Sequence, residues 1–123
     1  MNILMIEAQL PSLNEYQSAC RSHWSKGYSF KKDVEELIGY SIRIALNKNE
    51  LQRIDRPCEI YIEWHEATKR RDVDNIQSAQ KFILDALQKH NVIINDNRKW
   101  VKQIYHRVID DTRDYVEVMF KKL

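Results

Sequence analysis

The sequence predicts an α+β domain with a mixed sheet and two packed helices, in the order β-α-β-α-β-β. Three observations carry that reading. Residues Cys58 to His65 alternate with period two, Ile60, Ile62 and Trp64 on one side and Glu59, Tyr61, Glu63 and His65 on the other, as a half-buried strand does. Two stretches, Lys31 to Asn47 and the run after Asn75, place apolar residues at helical spacing. Further strand-like runs stand at both ends of the chain, so helices and strands alternate without a repeating unit.

In chain order, Ile3 to Ala8 is a short apolar run bounded by Pro11 and reads as a mostly buried strand. Pro11 to Phe30 has no clear period and is expected to be irregular. Within it Arg21, His23, Trp24, Lys26 and Tyr28 interleave bases and aromatics. Such a loop can grip phosphates and stack on unpaired bases, but Trp24 and Tyr28 are expected instead to tuck it against the core. In the first helix Val34, Leu37, Ile38, Ser41 and Ala45 share a face with Ile42 and Ile44 at its margins, and Asn47 to Asn49 supplies the stop. After the Cys58–His65 strand a basic loop leads into the second helix, whose apolar face is Ile76, Ala79, Ile83, Ala86 and Leu87. Asp74, Ser78, Lys81 and Asp85 form the opposite stripe. Lys102 to Ile109 and Tyr115 to Phe120 complete the strands, separated by a polar turn around Asp110 to Asp114, with His106 on a strand face.

At 123 residues the chain is expected to form a single domain, 1–123, with a core that needs neither disulfides nor a structural metal. Hydrophobic residues make up 43% and charged residues 31%, the balance of a soluble globular protein. No apolar run is long enough to span a membrane, and no signal peptide is evident. Cys20 and Cys58 form no Cys-x-x-Cys pair, which suits a reducing cytoplasm. The four histidines lack zinc-like spacing, and a histidine- or cysteine-based nucleophile finds no support. A net charge of +2 is too mild to indicate a partner, but its distribution is uneven. Lys69, Arg70, Arg71, Arg98, Lys99 and Lys102 flank two acidic motifs.

Those motifs lie in Lys69 to Asp96, KRRDVDNIQSAQKFILDALQKHNVIIND. Asp72 and Asp74, one residue apart, suit a hard divalent cation, because Mg²⁺ takes oxygen ligands and commonly one or two carboxylates from a protein. Bases abutting acids make sense if the acids hold a metal and the bases hold phosphates. An EF-hand fails, because Ile76 and Gln77 stand where that loop needs Asp or Asn and then Gly. Asp74 can also act as an N-cap, with Gln77 completing a capping box. The two roles are compatible.

RRDVDN, KFILDAL and VIIND, together with LPSLNEY near the start, resemble the RusA family of Holliday junction resolvases, particularly its phage and prophage members. The similarity runs from about Leu10 to Trp100 with four motifs in order. The resemblance implies a Mg²⁺-dependent endodeoxyribonuclease, with Mn²⁺ able to substitute, acting as a homodimer on branched DNA such as the four-way junction, in recombination and repair. It implies a cytoplasmic setting in a bacterial host. Asp72, Asp74 and Asp96 match the family's metal-binding acids. Counted back from Asp85-Ala86-Leu87, Lys81 matches the catalytic lysine; counted forward from Asp74, the place falls on Ser78, because three extra residues separate the motifs. Lys69, Arg70, Arg71, Asn75, Arg98 and Lys99 are the expected DNA contacts, and Asn14 is expected close to the site. Alternatives with the same residues are a flap- or fork-directed nuclease, and a catalytically silent binder of DNA structures.

Overall fold

The computed structural model describes residues 2–123. Strand β1 (Asn2–Ile6) leads into helices α1 (Leu13–Ser22) and α2 (Trp24–Asn47), then β2 (Cys58–Glu66), short helix α3 (Val73–Gln77), α4 (Gln80–Lys89), β3 (Val101–Asp110) and β4 (Tyr115–Lys122). The α+β order is the expected one; the first expected helix lies intact within a longer α2 that α1 precedes, and the second is divided into α3 and α4. The four strands form one mixed sheet in the order β1-β4-β2-β3. β2 pairs parallel with β3 and antiparallel with β4, and β1 pairs antiparallel with β4. The polar turn between β3 and β4 therefore closes no hairpin. It arches over the end of β2, where the Asp111 N–H donates to the Glu66 carbonyl at 3.0 Å.

The core lies between one sheet face and the helices. Leu4, Ile6, Ile60, Ile62, Trp64, Val116 and Val118 come from the sheet, and Ile38, Ile42, Ile76, Ala79, Ile83, Ala86 and Leu87 from the helices. Burying each large aliphatic side chain contributes about 1.5–3 kcal/mol relative to leaving it in water. The second helical face is the expected one. That of α2 is rotated: Val34, Ile38, Ile42 and Ala45 are buried, while Leu37 and Ile44 are exposed at its edge. Cys20 and Cys58 are both free thiols.

Residues 13–22 and 24–30, expected to be irregular, are helical. Ser12 and Glu15 form a capping box: Ser12 Oγ accepts the Glu15 N–H at 3.1 Å, and Glu15 Oε1 accepts the Ser12 N–H at 3.4 Å. The helix breaks at His23, whose extended backbone ends α1 and whose Nδ1 accepts the Ser25 N–H at 3.2 Å to begin α2. Gly27 makes the tight corner possible, since a Cβ there would lie 2.5 Å from Cys20 Sγ. Trp24 (77% exposed) and Tyr28 (66%) do not pack on the core as expected, because the corner turns them outward.

His106 belongs to the core network, as a strand-face histidine should. Its Nδ1 accepts the Trp64 indole N–H at 3.0 Å, so its proton sits on Nε2, which donates to Gln80 Oε1 at 2.7 Å. Burial holds its pKa below the usual histidine value. Above about pH 6.5 neither folded nor unfolded His106 is charged; below it the unfolded chain binds a proton that the folded chain refuses, so stability falls with pH. His90, lowered first by burial, acts in the same direction, while Glu117, raised by burial, opposes it at the acid end. Urea unfolding should show a lower midpoint at pH 5.5 than at pH 7.5, and a flatter dependence for His106→Gln. A variant with the wild-type slope would exclude His106 as a source.

Candidate active site

At the end of β2 the chain enters a loop that carries the basic residues and the first acids. Arg71 turns inward. Its Nε and Nη2 donate to the two oxygens of Glu66 at 3.1 and 2.9 Å, and its Nη1 donates to the Leu10 carbonyl at 2.9 Å. Glu66 also accepts from Gln9 at 3.2 Å. With side chains only 15% and 5% exposed, this pair anchors the loop beside Asp72 rather than presenting a cation to solvent. Removing one member of a buried pair strands the other charge, so Arg71→Ala should cost about 3–5 kcal/mol in chemical denaturation. A loss under about 1 kcal/mol would mark it as an ordinary surface pair. Lys69 and Arg70 remain exposed, Lys69 Nζ lying 3.7 Å from Asp110 Oδ2.

Asp72 is the N-cap of α3, yet its carboxylate makes no capping hydrogen bond. Asp74 is not the cap. It lies inside the first turn, where its Oδ1 accepts the Asn75 N–H at 3.0 Å. Both acids are exposed at the start of the helix. Asn75 Oδ1 accepts from Asn14 Nδ2 at 3.1 Å, which brings Asn14 to the site as expected.

The anticipated continuous stripe from Asp74 to Asp85 is interrupted. Ser78 Oγ donates to the Asn75 carbonyl at 2.7 Å and accepts the Leu13 N–H at 3.1 Å. This back-bond competes with the helical ladder, and the Ala79 N–H turns to the Ile76 carbonyl at 3.4 Å. The helix restarts as α4 with Lys81 in its first turn. Ser78 thus staples the start of α1 to the end of α3. Lys81 Nζ donates to Asp85 Oδ1 at 3.1 Å. Its pKa is raised, chiefly by Asp85 and with a smaller contribution from Asp96. Lys81 and Asp96 therefore share one electrostatic neighbourhood. The Asp96 N–H donates to Gln88 Oε1 at 3.3 Å, a contact between α4 and the following turn that helical spacing did not reveal.

The structure keeps Asp72 and Asp74 at the start of α3 and pairs Lys81 with Asp85 on α4. It does not gather Asp72, Asp74 and Asp96 into a set with ligand atoms all within 4.8 Å. Exposed carboxylates repel one another and remain hydrated until a cation offsets their charge. The donors fit a hard cation nonetheless, because all are carboxylate oxygens, Asp72 is committed to no capping bond and Asp74 uses only one oxygen. Arg98 and Lys99 are exposed just beyond Asp96, with Lys99 Nζ 5.1 Å from the Trp100 ring centroid.

Exposed acids flanked by outward-facing bases thus stand at one end of a small α+β frame. The chain belongs to the RusA family: the family model described as Endodeoxyribonuclease RusA matches residues 8–121. Membership implies endodeoxyribonuclease action on Holliday junctions. No curated protein matches the chain. Among the described residues, no helix is long and apolar enough to cross a membrane.

Proposed function

We propose that this protein is a Mg²⁺-dependent endonuclease that resolves four-way DNA junctions by paired phosphodiester hydrolysis, acting as a homodimer in the cytoplasm of a bacterial host, with phage or prophage as its origin. Beyond family membership, the observation that carries the reading is the uncommitted carboxylate of Asp72 beside Asp74 at the exposed start of α3. Asp usually caps a helix with its own side chain; here that oxygen is left for another partner.

Asp72, Asp74 and Asp96 would hold Mg²⁺, or Mn²⁺ in its place, and the ion supplies Lewis-acid neutralisation of phosphate charge. Lys81 remains an ammonium at working pH, since Asp85 and Asp96 raise its pKa. It therefore supplies positive charge to the phosphate rather than removing a proton. Asp85 orients it along the helix surface. Lys69, Arg70, Arg98 and Lys99 contact the DNA backbone, which positions the duplex without reading sequence. Asn75 retains its amide N–H groups for a phosphate, because Asn14 occupies only its oxygen. Arg71 serves by anchoring the loop. Two nicks on opposed strands need two sites, and a two-fold dimer is the simplest arrangement that supplies them.

The separation of the three aspartates favours one other reading, a binder of branched DNA that does not cut. Cleavage of a synthetic four-way junction and of a flap, each with Mg²⁺ and with EDTA, separates the possibilities. Junction cleavage in Mg²⁺ alone is expected. Preferential flap cutting would indicate a flap- or fork-directed nuclease, and tight binding without cutting would indicate the silent binder.

A further inference from the structure

On the sheet face turned away from the helices, β2 and β4 bring together three side chains of the kinds that ligate metals. Glu63, His65 and Glu117 each place one ligand atom within 4.8 Å of the other two. His65 Nε2 is buried and has no hydrogen-bond partner, although its side chain is only 9% exposed and Nε2 lies 3.6 Å from Glu63 Oε1. A buried ring nitrogen left unpaired is costly, and a cation held between it and the two carboxylates would satisfy it.

The rest of the ring is held firmly. Its Nδ1 lies 2.7 Å from Asp111 Oδ2, and the other Asp111 oxygen accepts the Thr112 N–H at 2.6 Å. Tyr115 stacks on the imidazole with centroids 3.9 Å apart and planes at 11°. A carboxylate on Nδ1–H fixes the tautomer that leaves the Nε2 lone pair towards Glu63 and Glu117, the arrangement by which metal-ligating histidines are oriented. Three carboxylates surround this one imidazole. Arg107, registered opposite Glu63 on β3, forms no ion pair with it within 4.0 Å among the described residues.

We infer that Glu63, His65 and Glu117 form a binding site for a divalent transition metal, with Zn²⁺ as the ion its donors suit. One imidazole nitrogen and two carboxylate oxygens, with water completing the shell, are ordinary zinc donors. Tetrahedral ligands at about 2.0–2.1 Å lie about 3.4 Å apart, close to the 3.6 Å between His65 and Glu63, so Glu63 needs to shift little. The ion ties β2 to β4, the antiparallel pair at the centre of the sheet. This site is separate from the aspartates of α3 and does not depend on the proposed nuclease chemistry.

The test uses EDTA-treated, dialysed full-length protein, titrated calorimetrically with Zn²⁺ and followed by visible absorption with Co²⁺. One site per chain is expected, retained in Asp72→Asn/Asp74→Asn. Glu63→Gln and Glu117→Gln, nearly isosteric on a partly open face, should each weaken Zn²⁺ at least 100-fold, and Asp111→Asn about 10–100-fold. His65→Gln should abolish it. No Zn²⁺ binding by folded wild type would overturn the assignment in favour of an imidazolium shared among carboxylates. So would binding that survives both glutamine substitutions, or that is lost with Asp72 and Asp74.

Discussion

Asp72→Asn and Asp74→Asn should each reduce junction cleavage in Mg²⁺ almost to background while leaving junction binding intact. Asp→Asn preserves size and removes the charge that a hard cation needs. It also leaves untouched the proposed DNA contacts of Lys69, Arg70, Arg98 and Lys99, so affinity should hold or rise slightly. Asp72 makes no capping bond in the structure, so its loss should not unfold α3. Asp96→Asn should behave alike if the third acid completes the set. Single-turnover cleavage with a parallel gel-shift titration decides each case. A variant that cuts near the wild-type rate removes its residue from the site.

Lys81→Ala should slow cleavage by about 10²-fold or more, the scale of one lost electrostatic contact to the transition state. Asp85→Asn should do less, because it releases the ammonium without removing it. The structure sharpens the contrast with Ser78. Its hydroxyl is occupied by the Asn75 carbonyl and the Leu13 N–H, so it supplies neither charge nor a free donor. Ser78→Ala should lower stability by about 1 kcal/mol through those bonds yet leave the chemical step near wild type at saturating Mg²⁺. A severe rate defect in Ser78→Ala with a normal Lys81→Ala would reverse the assignment.

The legible parts of this chain were those fixed by local periodicity. β2 could be read from alternation, and the α4 core face from Ile83, Ala86 and Leu87, because one buried side imposes a period on the sequence. α1 is not legible although Ser12 and Glu15 stand at capping-box spacing, because its polar composition and lack of buried residues hide the signal. The break after α3 depends on Leu13, distant in sequence from Ser78, and no local pattern announces it. Strand order was equally out of reach, since β2 is inserted between β3 and β4 despite their short connection. At the site, Asp72 and Asp74 were legible as residues, but Arg71 looked like one base among several until Glu66 and Leu10 were seen to hold it. The cluster of Glu63, His65 and Glu117 arises only when β4 lies against β2.

The most direct test of the central claim is to map cleavage on a four-way junction labelled on each strand in turn, in Mg²⁺, with the dimer established by light scattering. Paired nicks at symmetric positions on two opposed strands, absent in EDTA and in Asp74→Asn, are the expected result. Cuts confined to one strand, or equal cutting in EDTA, would contradict a metal-dependent junction resolvase.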